Sequence, residues 1–164
     1  MSKTIEIIAD FDIYIRGIGQ VGTAHKVTVP KLTQIKESHS SGAGDYEVSI
    51  GQFEKLEASF TVLREEIHFY KEIAQLNEGE IDFVEAVKEG AKAREGLYEF
   101  RGIIDIEGGD SERKKKKEVT VKISCNKAYH SIDNEEAYYI DHRNNICRVG
   151  GVDHNEKVRQ IIGG

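Results

Sequence analysis

Hydrophobic and polar residues alternate with a period of two over much of the chain, the spacing that sends successive side chains to opposite faces of a strand. The clearest case is Val119, Val121, Ile123 and Cys125, with Thr120, Lys122, Ser124 and Asn126 between and after them. Leu56, Ala58, Phe60 and Val62 repeat the pattern against Glu57, Ser59 and Thr61, so residues 56–63 read as a half-buried antiparallel strand. Further extended segments are expected over residues 11–16, 24–32, 48–50, 81–88, 97–107, 118–132 and 137–141. The first two are expected to form an opening antiparallel pair across the punctuation of Gly17, Gly19 and Gly22.

Over residues 64–77 the period becomes helical: Ile67, Tyr70 and Ala74 fall beside Phe69, Ile73 and Leu76 on one broad apolar face. Glu65 and Glu66 are expected in the first turn, against the positive end of the helix dipole, and Asn77 with Gly79 supplies the stop. Such a helix suits packing across one side of a sheet. Residues 153–162 read as a terminal helix capped by Asp153. Residues 33–47 turn polar and glycine-dotted and read as an exposed loop. With one proline and no internal repeat, residues 1–164 are expected to form a single domain. Strands, one helix, then more strands imply a mainly β fold, an antiparallel β-sandwich or barrel with a flanking α-helix.

Charge narrows the function. With 29 acidic against 23 basic side chains, the net charge is -6, which works against general binding to phosphate backbones. Cys125 and Cys147 are too few for a disulfide framework or a four-cysteine zinc site, and reduced thiols in a cytoplasm are expected. Cys125, on the apolar side of its strand, reads as a small hydrophobe. His25, His39, His68, His130, His142 and His154 show no metal-ligand spacing. No apolar run approaches the ~20 residues that cross a bilayer, so no membrane anchor is expected. The GIGQVG stretch at residues 17–22 superficially fits a dinucleotide fingerprint, but strand formers follow it and a turn is the better reading. No carboxylate pair, triad or phosphate loop stands out, so neither an enzyme nor a cofactor is expected.

Arg113, Lys114, Lys115, Lys116 and Lys117 form the sharpest charge feature, between two expected strands. They suit a contact with phosphates or an acidic protein, or a solvated hairpin tip kept from edge aggregation by its lysines. Asp110, Glu112 and Glu118 partly neutralise them.

VTVPKLT at residues 27–33, followed by a polar loop carrying GAG at 42–44, resembles the major tail tube protein family of contractile-tailed phages and phage-tail-like bacteriocins. The likeness extends through FDIYIRG, GTAHK, VSIG at 48–51, LEASFTV and the ending GGVDHNEKVRQIIGG. The resemblance implies a structural subunit: hexameric rings whose inner strands join into one barrel and stack head to tail into a tube inside a sheath. Its implied partners are the tail sheath, baseplate and tail terminator proteins, with phage DNA crossing the lumen without specific binding. The place implied is the virion tail, assembled in the host cytoplasm. It further implies that the 33–47 segment reaches an adjacent subunit or ring through Gln34, Lys36, Glu37, His39, Asp45 and Tyr46, with Gly42 and Gly44 giving backbone freedom. A headless contractile machine would use the same kind of tube. The rival from another class is a small β-barrel gripping single-stranded nucleic acid through residues 113–117, with Tyr129, Tyr138 and Tyr139 stacking on bases.

Overall fold

The computed structural model describes residues 5–16, 19–21, 24–74 and 78–163. In chain order the elements are β1 (Glu6–Ile15), β2 (Gly19–Gln20), β3 (Ala24–Thr28), β4 (Gln34–Ser41), β5 (Gly44–Phe53), β6 (Leu56–Val62) and α1 (Ile67–Ala74). β7 (Gly79–Glu89), β8 (Lys92–Gly108), β9 (Val119–Ile132), β10 (Glu135–Asp141), β11 (Ile146–Val149), β12 (Val152–Asp153) and α2 (Glu156–Ile161) follow. The fold is mainly β and antiparallel, as the alternation implies.

One sheet runs β12-β11-β10-β9-β8-β7-β1-β2, and β3 and β6 branch from it through β9. β8 flanks β9 along nearly its whole length. The other side of β9 is divided: β6 takes Val119 to Cys125 and β10 takes Lys127 to Ile132. At the division Asn126 is an extra residue, because Cys125 pairs with Gly102 while Lys127 pairs with Arg101. Such a bulge bends its strand and brings the backbones close. A Cβ on Gly102 would stand 1.8 Å from the Ser124 carbonyl oxygen, so only glycine fits there.

The register sets the core as rows across strands. Ile15, Ile81, Phe100, Ala128, Ile140 and Cys147 make one row, and Ile13, Phe83, Tyr98, His130 and Tyr138 the next. Leu56, Ala58, Phe60 and Val62 from β6 join them, and all four are buried. In the second row Tyr98 stacks on Phe83 at 5.3 Å and on His130 at 3.8 Å between ring centres. Burial holds the His130 pKa below its usual value, and the neutral ring donates Nδ1–H to the Leu97 carbonyl at 2.9 Å.

Four expectations fail. The opening pair does not form: β1 pairs with β7 and, over two residues, with β2, whereas β3 crosses to β6. The 33–47 segment is not a loop. It belongs to a hairpin, β4–β5, because alternation in Tyr46, Val48 and Ile50 continues beyond the polar stretch and pairs back onto β4. Among the described residues α1 covers Ile67–Ala74 only, so Glu65 and Glu66 precede it, and the expected end at Asn77 lies outside the described residues. Its broad apolar face is not buried as a whole: Phe69 enters the core while Ile67 and Tyr70 stay exposed. Finally, α2 starts at Glu156 with Asn155 before it, not at Asp153. Asp153 is held in β12, where its Oδ1 accepts the Asn155 amide at 3.0 Å and its carboxylate pairs with Arg159.

Candidate assembly surfaces

The β4–β5 hairpin stands apart as its own two-stranded sheet. Gly42 and Gly44 lie at its tip, Gly44 with φ 128°, a conformation a side chain would strain. Gln34, Lys36, Glu37 and His39 lie on β4, Asp45 and Tyr46 on β5, so the structure brings these expected contact residues onto one element. His39 stacks on Tyr46 at 5.7 Å, Ser40 Oγ donates to Asp45 at 2.8 Å, and Lys36 approaches Glu47 at 3.9 Å. Tyr46, Val48 and Ile50 share one face by strand alternation and are 50%, 43% and 44% exposed. An isolated two-stranded hairpin is marginal in water, and an uncovered apolar face on it adds an incentive for association.

A second open surface is the edge of β1. β7 pairs with it from Glu6 to Ile15, but on its other side β2 reaches only Tyr14 and Ile15. Beyond Ile13, whose carbonyl accepts the Val21 amide at 2.8 Å, no strand among the described residues covers Glu6 to Asp12. The Phe11 amide there donates to the side-chain carboxylate of the preceding residue, Asp10, at 2.8 Å. Ile7 and Ile8 beside this edge are 67% and 59% exposed. Unpaired amides and carbonyls flanked by apolar side chains form a template for another strand.

The face of β1, β7 and β8 opposite the core is rich in carboxylates: Asp10 and Asp12, Glu80 and Asp82, and Glu99. Arg16 and Arg101 pair with Glu80 at 2.8 and 3.8 Å. Partial burial raises the Asp82 pKa above the usual carboxylate value despite Arg16 nearby.

Arg113, Lys114, Lys115, Lys116 and Lys117 lie exposed in the loop between β8 and β9, as the sequence places them. Lys115 pairs with Glu112 at 2.8 Å and Lys117 with Glu65 at 3.3 Å. The hairpin leaves the body near Leu56 and the basic loop adjoins Val62, so the two groups of site residues sit at opposite ends of β6. The nucleic-acid constellation does not assemble: Tyr138 is 7% exposed, and Tyr129 and Tyr139 lie toward the far end of β9 from the basic loop.

The sequence matches the phage tail tube protein FII family over residues 5–163. The chain belongs to that family. The tube protein also resembles, at 9% identity and a TM-score of 0.52, a chain of the sheath/tube terminator of an extracellular contractile injection system, PVC, in its extended state. That likeness covers 75% of this chain and 94% of the other. A chain of the PVC sheath-tube complex in the extended state gives a TM-score of 0.54 at 8% identity, over 74% and 87% of the two chains. At such identities the likeness is one of fold. No curated protein sequence matches the chain.

As a tail tube family member the chain is a structural protein and not an enzyme. Burial pushes the Cys125 thiol up to about 12, which leaves it protonated and unreactive in the core. No group of three or more metal-ligating side chains gathers among the described residues, and no helix among them is long and apolar enough to cross a membrane. The β1 edge escaped the sequence reading because Ala9 is an extra residue between Ile8 and Asp10, and the slip in phase hides the strand's first half. The signal available was the IEII run itself, too apolar for a solvated lead-in.

Proposed function

We propose that six copies close into a ring by strand addition at β1, that rings stack into a hollow tube, and that the tube conducts DNA inside a contractile sheath. The observation that carries this reading is the uncovered edge from Glu6 to Asp12. Closure satisfies its amides and carbonyls, removes an aggregation template and needs no further chain.

Ring closure at this edge extends the β1-β7-β8-β9 sheet around an axis with its covered side, bearing β6 and β3, outward. The carboxylate-rich face then lines the lumen, where Asp10, Asp12, Asp82 and Glu99 repel a passing polyanion instead of gripping it. The hairpin reaches a neighbouring subunit or ring through Lys36, Glu37, His39 and Tyr46, with Val48 and Ile50 covered on contact. The PVC relatives come from sheath-tube and sheath/tube terminator assemblies, which supports a sheath and a terminator as partners of this tube. A baseplate protein at the other end completes the set.

Native mass spectrometry of the purified protein tests the ring. A species of six chains is expected, and replacing Ile8 with proline, which removes an amide from the open side of β1, abolishes it while the monomer persists. A monomer as the sole wild-type species at high concentration overturns the proposal.

A further inference from the structure

The basic loop and a cluster of carboxylates occupy opposite ends of one strand pair. β8 and β9 stay paired from Gly108 opposite Val119 to Gly96 opposite Ile132. At ~3.3 Å per residue the two ends are roughly 40 Å apart along the strands. At the first end Arg113, Lys114 and Lys116 are exposed, and no ion pair among the described residues engages them. Asp110 and Glu118 are the acids left over beside them, Glu118 facing His25 at 3.8 Å.

At the other end the turns at 90–91 and 133–134 bring Glu89, Glu95, Asp133 and Glu135 to the surface. Asp133 and Glu95 are locked together: the Glu95 amide donates to Asp133 Oδ1 at 2.8 Å and the Asp133 amide to the Glu95 carbonyl at 2.9 Å. Positive φ angles at Asp133 and Asn134, 48° and 66°, fix the turn. Arg94 and Arg148 are engaged by Glu6 and Glu136, which among the described residues leaves Lys88 and Lys92 to offset the cluster. Each end therefore carries an excess of one sign, and the signs are opposite. Like charges held together on a rigid turn gain most when a complementary group docks on them.

We infer that in the tube the Arg113 to Lys116 loop of each copy seats on Glu95 and Glu135 of a copy in the next ring, so that charge sets both the contact and the polarity of stacking. This rests on the tube reading. A surface joining one end of a molecule to the opposite end of the next is heterologous and grows a filament without a fixed length. An isolated acidic or basic tip would add little, but a ring multiplies each contact around its circumference.

Two variants test it. Arg113→Glu with Lys116→Glu makes both ends acidic and spares Lys114, whose φ is 64°, while Glu95→Lys with Glu135→Lys makes both basic and changes side chains only, keeping the Glu95 amide and carbonyl that hold Asp133. Each variant alone is expected to give rings but no tubes by negative-stain microscopy at about 0.1 M salt. Mixed in equal amounts, preformed rings of the two are expected to stack alternately into tubes. Wild-type tubes are expected to shorten at least tenfold as salt rises to about 0.5 M, where screening is strong. Wild-type-length tubes from either variant alone, no rescue on mixing, or tubes indifferent to salt overturn the inference. Tight, salt-dependent binding of the loop to single-stranded DNA with stacking intact in the first variant also overturns it. Failure of the tube reading itself looks different, because the wild-type protein then yields neither rings nor tubes.

Discussion

Asn126, the residue bulged out of β9, donates its side-chain amide to the Glu78 carboxylate at 2.7 Å. Arg143 grips the same Glu78 oxygen and Arg101 Nε reaches the other at 3.2 Å. The backbone carbonyl of Asn126 accepts the His142 amide at 3.0 Å. One carboxylate, its side chain only 13% exposed, thus fastens the start of β7 to the bulge and to the β10–β11 turn, where β9 changes partner from β6 to β10.

Removing that carboxylate takes a partner from Arg143 and from the Asn126 amide, and leaves Arg101 with Glu80 alone. Glu78→Ala is expected to lower stability by about 1–3 kcal/mol, read as a fall in the urea midpoint with an unchanged slope. Glu78→Gln, which keeps one acceptor, is expected to cost less. Equal midpoints for wild type and Glu78→Ala would show that the bulge holds without the clamp.

Gly102 is the tighter constraint. Gly102→Ala forces a Cβ into backbone at 1.8 Å from Ser124 oxygen, and no side chain there can rotate away. A loss of ~3 kcal/mol or more is expected, visible as insoluble expression or a collapsed thermal midpoint. By contrast Gly108→Ala, whose Cβ meets open space, is expected to leave the midpoint within about 0.5 kcal/mol of wild type.

The Asp153 pKa is lowered, chiefly by its hydrogen bonds with Arg159. A carboxylate whose folded pKa lies below its unfolded one contributes stability above the unfolded pKa and loses it as pH falls through the folded value. The helix α2 buries no residue, so this clamp and the Arg159 bond to the Asn145 carbonyl at 2.9 Å are its main ties. Hydrogen exchange in α2 is expected to quicken below the usual carboxylate range and, in Asp153→Asn, at neutral pH, with the global unfolding midpoint nearly unchanged. Slow exchange in the variant would contradict this.

For the hairpin, the informative change removes its apolar face and keeps its backbone. Tyr46→Ser, Val48→Ser and Ile50→Ser together are expected to raise the concentration needed for assembly at least tenfold, while the near-ultraviolet spectrum of the core is preserved. A linker replacing residues 33–47 alone would leave half of β5 unpaired, so a deletion needs the span 36–49, whose ends face each other across the hairpin. Assembly at wild-type concentration from either variant would remove the hairpin from the contact.

The core was legible because β6 and β9 alternate strictly: Leu56, Ala58, Phe60 and Val62 and Val119, Val121, Ile123 and Cys125 are the buried rows their spacing implies. Misreadings arose where tertiary pairing overrode local pattern. Ile67 and Tyr70 suit a packed helix by period, yet they face solvent, since α1 inserts only Phe69 among the side chains described there. Serines and glycines in the 33–47 stretch hide a strand pair whose partner segment carries the signal. Asn126 and Gly102 carry no periodic trace, because a bulge is defined by the facing strand. The assembly residues are surface residues in one copy, and only their geometry, an uncovered edge and oppositely charged ends, gives them meaning.

Amide exchange along β1 reads whether another copy completes its outer edge. In dilute monomer the outward amides between Ile7 and Asp12 are expected to exchange freely, and in assembled particles to slow by about a hundredfold or more, as in a paired core strand. Fast exchange at these amides inside intact rings or tubes would mean that no second copy pairs with this edge.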